Sequence, residues 1–235
     1  ALTAGETKTW NTLIDWQKGT FEGAAGHQDS TVYKNYAKDY DDYGTVGEGQ
    51  EDETKFTDIE NHWAEDYIKR AEKLHLFDGT SPTTFSPDVA MTRGMFVKVL
   101  GSLAKIDTAA YAGKSKFADV KEKDYFCAYV NWAQKNGIVA GTSPTTFSPN
   151  ENITREQTAV MLSNYMDYAK INLPESEVSA FADNDQISAY AGKAVHRMHA
   201  TGLMVGRGDN MFVPQGESTR AEMATILVQF CDKIG

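Results

Sequence analysis

Three Thr-Arg pairs recur along this chain: Thr92-Arg93, Thr154-Arg155 and Thr219-Arg220. Each opens an apolar pattern of helical spacing. A Thr in that place accepts a hydrogen bond from the first helical turn. The Arg then lies just inside the helix start, where free backbone N–H groups and the helix dipole favour an anion. Its guanidinium can pair with a carboxylate through two parallel bonds, whereas Lys offers only a point charge. The chemistry suggested is capture of an acidic group, and on that reading Ala at Arg155 and Arg220 weakens binding and leaves the fold intact. For any one Arg, a head lying in solvent or paired with a nearby acid explains the residue as well. Recurrence at one position in three units weakens that alternative, but spacing alone does not decide between them.

The pairs belong to a longer repeat. Residues 79–87 read GTSPTTFSP, and residues 141–149 read the same nine letters. A weaker copy, GRGDNMFVP, stands at 206–214. Each loop is preceded by a Phe-x-Asp opening: Phe56 with Asp58, Phe117 with Asp119, and Phe181 with Asp183. Self-similarity at a period of about 60 residues marks a repeat architecture, in which neighbouring units bury one another's apolar faces.

Each unit reads as two helices. Trp63, Tyr67, Ala71 and Leu74 share one face in the first, Tyr125, Tyr129, Ala133 and Ile138 in the second, and Tyr190, Ala194 and Met198 in the third. Gly137 and Gly202 suit the left-handed residue that ends a helix, and His75 in that place predicts a less regular end. The second helix carries Val97, Leu100 and Leu103; Ala159, Leu162 and Tyr165; or Ala224, Leu227 and Phe230. Gln157 and Glu222, three residues after their Thr caps, complete a capping box in which the side chain reaches back to the cap. Met95 leaves the box incomplete in the first unit. The Phe-x-Pro segments are too short and Pro-limited for central strands.

Composition narrows the function. With 33 acidic and 23 basic residues the net charge is -10, which argues against nucleic acid and anionic membrane surfaces as partners. No apolar run approaches the roughly 18 residues of a membrane helix. Ala1 is followed by polar residues, so no signal peptide is expected there. Cys127 and Cys231 are too few for a disulfide framework; buried free thiols and a single bond between them both remain open. His27, His62, His75, His196 and His199 are scattered, and no Glu joins His196 and His199 in an H-E-x-x-H pattern. No metal, no cofactor and no catalytic residue is expected. Ahead of the repeats, Trp10, Leu13, Ile14 and Gln17 suggest a short helix, and Tyr33, Tyr36, Tyr40 and Tyr43 a stripe on a second. Residues 44–55 read as an acidic linker.

The order Phe-x-Asp, aromatic-Ala helix, Gly loop, Phe-x-Pro and Thr-Arg-x-Glu resembles the S-layer homology repeat, over residues 56 to 234. The resemblance implies an all-α fold: three two-helix repeats in a pseudo-threefold arrangement around a central three-helix bundle, here with an N-terminal helical extension. The divisions expected are 1–55 for the extension and linker, then repeats at 56–116, 117–180 and 181–235. It implies a non-enzymatic cell-wall anchor, extracellular on a Gram-positive-type bacterium. The partner would be an anionic secondary cell-wall polysaccharide, often carrying pyruvylated N-acetylmannosamine, held in grooves between repeats. Other S-layer or cargo domains fit beside it. A protein-binding module for self-assembly or adhesion is the alternative.

The family's signature Arg, its usual ligand contact, corresponds to Arg93, Arg155 and Arg220, and this resemblance, rather than spacing alone, decides for the binding reading. The signature is whole only in Thr219-Arg220-Ala221-Glu222; Gln157 replaces the Glu in repeat two, and repeat one reads Thr-Arg-Gly-Met, which makes its groove the weakest by signature. Further candidates are Gly79, Gly141 and Gly206, which let backbone approach a sugar or simply shape a turn. Trp63, Tyr125 and Tyr190 stack on a sugar or pack in the core. Asp58, Asp119 and Asp183 contact a ligand hydroxyl or hold a turn.

Overall fold

The structure, a computed structural model, describes residues 54–234, so both helices expected before residue 44 lie outside the described residues. Six α-helices are present among them: α1 (Glu65–Lys73), α2 (Arg93–Leu103), α3 (Cys127–Lys135), α4 (Arg155–Ala169), α5 (Gly192–Ala200) and α6 (Arg220–Ile234). The described chain is helical and contains no strand, only isolated bridges between Ala90 and Thr219, Thr92 and Asn152, and Thr154 and Glu217. No helix among the described residues is long and apolar enough to cross a membrane.

The two helices of a repeat do different work. The outer ones bury one stripe: in α1 only Ile68 and Ala71 are fully inside. The second helices bury most of their surface. In α2 that includes Phe96, Val97, Val99, Leu100 and Leu103, and in α6 Met223, Ile226, Leu227, Val228 and Phe230. A helix apolar on most sides belongs in an interior, and α2, α4 and α6 form it. Tyr165 on α4 meets Phe230 on α6 with ring centroids 6.1 Å apart.

Each outer helix lies against the second helix of the preceding repeat: α3 on α2, α5 on α4, and α1 on α6. The last pairing joins the start of the repeats to their end. Backbone hydrogen bonds close the same circle. Met91 N–H donates to the Ser218 carbonyl at 2.9 Å, Ser218 N–H to Ile153 at 3.1 Å, and Ile153 N–H to Met91 at 2.9 Å. No repeat completes its own pairing, so the unit of folding is the set of three.

Helix ends follow local chemistry with two corrections. First, α1, α3 and α5 begin two residues after Trp63, Tyr125 and Tyr190, which leaves those rings in the approach to the helix. Second, His75 ends α1 as regularly as glycine ends the others. Its φ is 53°, against 72° for Gly137 and 70° for Gly202. The bond from Leu76 N–H back to Ala71 matches those from Ile138 to Ala133 and from Leu203 to Met198. Tertiary packing of Leu76 holds a non-glycine residue in a conformation that costs roughly 1 kcal/mol. Cys127 and Cys231 are both buried, and no disulfide joins them.

Candidate functional site

The three arginines sit at the three seams between repeats, and each reaches into the next one. Arg93 Nε donates to the Phe147 carbonyl at 2.9 Å and Nη2 to that of Ala140 at 3.2 Å. Arg155 does the same to Phe212 at 2.8 Å and Val205 at 2.6 Å. Arg220 closes the circle with Phe85 and Asp78, both at 2.7 Å. Each guanidinium also lies over the ring of that Phe, 4.7, 4.8 and 4.5 Å from its centroid. All three residues are only 4% exposed. Burial pulls each guanidinium pKa down, Arg155 to about 10, where the charge of Arg207 adds to the effect. The carbonyls and the ring face supply the partners a buried cation requires.

The Phe-x-Asp carboxylates complete this joint. Asp58 accepts from the N–H groups of Phe85 and Ser86, each at 2.7 Å. Asp119 accepts from Phe147 and Ser148, and Asp183 from Phe212 and Val213. One Phe peptide therefore links an Asp of its own repeat to an Arg of the preceding repeat. At Asp58 burial opposes ionisation, but the two N–H bonds and the charge of Arg220 outweigh it and lower the pKa.

The helix starts differ from the sequence expectation. Their N–H groups are not open to an anion. Arg93 and Gly94 donate to Glu151 and Pro149, Arg155 and Glu156 to Gly216 and Pro214, and Arg220 and Ala221 to Val89 and Pro87. The next N–H in each helix is capped by its Thr. The capping box is reciprocal only in repeat three, where Glu222 accepts from Thr219 N–H at 2.9 Å. Gln157 turns away and accepts from Arg93 Nη1 at 3.0 Å.

The loop glycines are fixed by crowding. A Cβ on Gly79 would stand 2.3 Å from the Ser81 carbonyl and 2.6 Å from the Phe56 ring; on Gly141 the corresponding distances are 2.3 Å from Ser143 and 2.7 Å from Phe117. Gly206 is looser, with Met211 oxygen at 3.0 Å. In contrast, the aligned aromatics are open: Trp63 is 62% exposed, Tyr125 57% and Tyr190 61%. Tyr190 lies within range of the charge on Arg93, and Tyr125 of that on Arg220, each guanidinium easing ionisation of the phenol that burial opposes. Each of these two seams thus joins an Arg, the next repeat's loop and an exposed ring from the remaining repeat.

Two residues absent from the sequence reading shape the seams. Glu156, 2% exposed, accepts from Ser188 N–H and Oγ, Tyr190 Oη and Gln215 Nε2. Burial opposes its charge, yet these bonds win and lower its pKa; Tyr190 is pushed up to about 12 by burial and by that carboxylate. Arg207, in the third loop, pairs with both oxygens of Glu222 and donates to the Glu217 carbonyl. Aligning the repeats against each other exposes both, since Glu156 corresponds to Gly94 and Ala221, and Arg207 to Thr80 and Thr142. Among the described residues no group of three or more His, Cys, Asp or Glu side chains is placed to hold a metal ion.

The family model for the S-layer homology domain matches residues 55–94, 116–159 and 180–224. An amylopullulanase of Thermoanaerobacterium thermosulfurigenes is 32% identical over 77% of this chain, but the match spans 10% of that protein. An exoglucanase of Acetivibrio thermocellus is 31% identical over 76% of the chain and 16% of its own length. An S-layer protein of Bacillus licheniformis is 28% identical over 52% of the chain and 13% of its own length. The chain thus spans less than a fifth of each of these relatives. Three matched repeats, joined by three equivalent arginine seams, lead to one conclusion: the chain belongs to the S-layer homology family, whose domains anchor surface proteins to the cell wall.

Proposed function

We propose that this chain is a non-catalytic anchor that holds its parent protein to the wall of a Gram-positive-type bacterium. It does so by binding a secondary cell-wall polysaccharide carrying pyruvylated N-acetylmannosamine in the seams between repeats. The observation that supports this reading is the placement, at two seams, of an exposed aromatic ring within range of the charge on a guanidinium. A ring face suits a sugar and a guanidinium suits a ketal carboxylate. Among the relatives are glycan-degrading enzymes and an S-layer protein that share only this small part with the chain, as expected of a shared anchor rather than a shared catalyst.

At -10 the chain repels a polyanion at long range, so affinity comes from the recessed sites. Binding then weakens only modestly between low and physiological salt, because recessed pairs are screened less than surface ones. The decisive experiment is co-sedimentation with purified wall polymer, intact and stripped of pyruvate. Loss of binding on stripping supports the reading. Equal binding to both refutes the carboxylate mechanism, and self-association without polymer favours a protein-binding module.

A further inference from the structure

The three seams share one plan but differ in what remains for a ligand. A guanidinium has three nitrogens, and Nε and Nη2 are occupied by backbone carbonyls in every repeat. The third decides the matter. In Arg93 it donates to Gln157. In Arg155 and Arg220 it makes no hydrogen bond among the described residues. Yet Tyr165 Oη is the one fully buried, unpartnered side-chain polar atom there. Nη1 of Arg155 and of Arg220 therefore reaches solvent.

Charge separates the seams further. Beside Arg93, Tyr190 is tied down by the buried carboxylate of Glu156. An acidic sugar entering there meets a saturated guanidinium and a tyrosine hydroxyl already committed to Glu156. Beside Arg155 stands a second guanidinium, Arg207, close enough that its charge depresses the Arg155 pKa. Glu222 faces the pair, and Asp183, the counterpart of Asp119 and Asp58 at the other seams, also acts on Arg155. Gly216 leaves Arg207 its present position: a Cβ there would stand 2.8 Å from Nη1 of Arg207 and displace the end of that side chain. The corresponding residues are Val89 and Glu151, in repeats whose loops carry Thr in place of Arg207. The loop of repeat three thus carries a guanidinium where the other loops carry Thr; the Arg220 seam has Lys98 beside it, which is bound to Asp78.

We propose that the seams are unequal sites: the Arg155 seam is the strongest for a carboxylate-bearing sugar, with Arg207 as a second cationic contact, and the Arg93 seam is held shut by Glu156 and Gln157. Glu222 acts as the counter-ion that Arg207 exchanges for the incoming carboxylate. The Arg220 seam, open but with one guanidinium, is the weaker of the two working sites. The proposal rests on the carbohydrate reading above.

Calorimetric titration of the whole chain with pyruvylated N-acetylmannosamine, and with the unpyruvylated sugar, tests it. Wild type should bind two equivalents of the acidic sugar. Arg207→Gln should weaken the tighter site about tenfold, Arg207→Lys should restore most of the loss, and thermal unfolding should report that both remain folded. Glu156→Ala combined with Gln157→Ala should add a third equivalent. Unchanged affinity in folded Arg207→Gln, or three equivalents in wild type, overturns the seam assignment and leaves the carbohydrate reading standing. If the double variant melts early, crystals of wild type soaked in the sugar decide: occupancy of the Arg93 seam refutes its closure, and occupancy of the Arg155 seam alone or with the Arg220 seam supports it. Equal binding of the two sugars by wild type defeats the carboxylate mechanism, and binding of neither defeats the carbohydrate reading itself.

Discussion

Repeat two and repeat three begin their second helices alike, with Thr as cap and Arg in the first turn over a Phe of the next repeat. Two residues later they part. Glu222 folds back on its own cap and holds Arg207, whereas Gln157 leaves its cap and binds the Arg of repeat one. The residue between also differs: Ala221 is inert, and Glu156 reaches across to Ser188 and Tyr190. The shared part holds the ring of repeats together, and the variable part sets what each seam leaves for a ligand. A motif read as one functional unit is thus two, with separate energetics.

The largest effect should come from the shared part. Arg155→Ala removes a buried side chain from the Phe212 face and leaves two carbonyls unpaired, so it should destabilise the chain by about 3 kcal/mol in urea unfolding. This replaces the expectation that alanine there would spare the fold. Unchanged stability would show that the arginine is not a structural joint. Next comes Asp183→Ala, which orphans the N–H groups of Phe212 and Val213 and should cost about 2 kcal/mol by the same measurement.

Smaller effects test the variable part. Glu156 has a folded pKa below its ordinary 4.5. Its carboxylate therefore stabilises the fold above pH 4.5, and that contribution disappears as pH falls through the folded value. Glu156→Ala should lose about 1 kcal/mol at neutral pH and show a flatter fall in melting temperature between pH 7 and 3. Parallel curves for the variant and wild type would place the acid sensitivity elsewhere, Asp58 being the next candidate. The smallest effect is a gain. His75→Gly relieves a positive φ and should stabilise by about 0.5 kcal/mol, net of the greater freedom of glycine in the unfolded chain. Loss of stability would mean that the imidazole makes a favourable contribution larger than the strain.

Much of the frame is legible in the sequence alone. The duplicated GTSPTTFSP loop, the aromatic-Ala and Leu spacings, the Thr caps and the glycine ends at Gly137 and Gly202 all announce two-helix units. The Phe-x-Asp pattern predicts a local turn or a ligand contact; these carboxylates instead accept from Phe peptides 27, 28 and 29 residues later, which no local pattern announces. The regular end at His75 was not legible, because the packing of Leu76 that enforces it follows the residue itself. Gln157 was misread as a cap partner because its true partner stands 64 residues earlier.

What the sequence by itself determined was local. Periodicity, caps and turn glycines depend on neighbours three to five residues away, and those are fixed by chain order. What only the tertiary structure decided was the fate of each polar group facing another repeat. Arg220 finds its carbonyl 135 residues away across a closed circle. The helix-start N–H groups, which looked ready for an anion, were already taken by carbonyls of the next repeat. A buried donor accepts the nearest acceptor that folding delivers, and which acceptor that is depends on how the three repeats close.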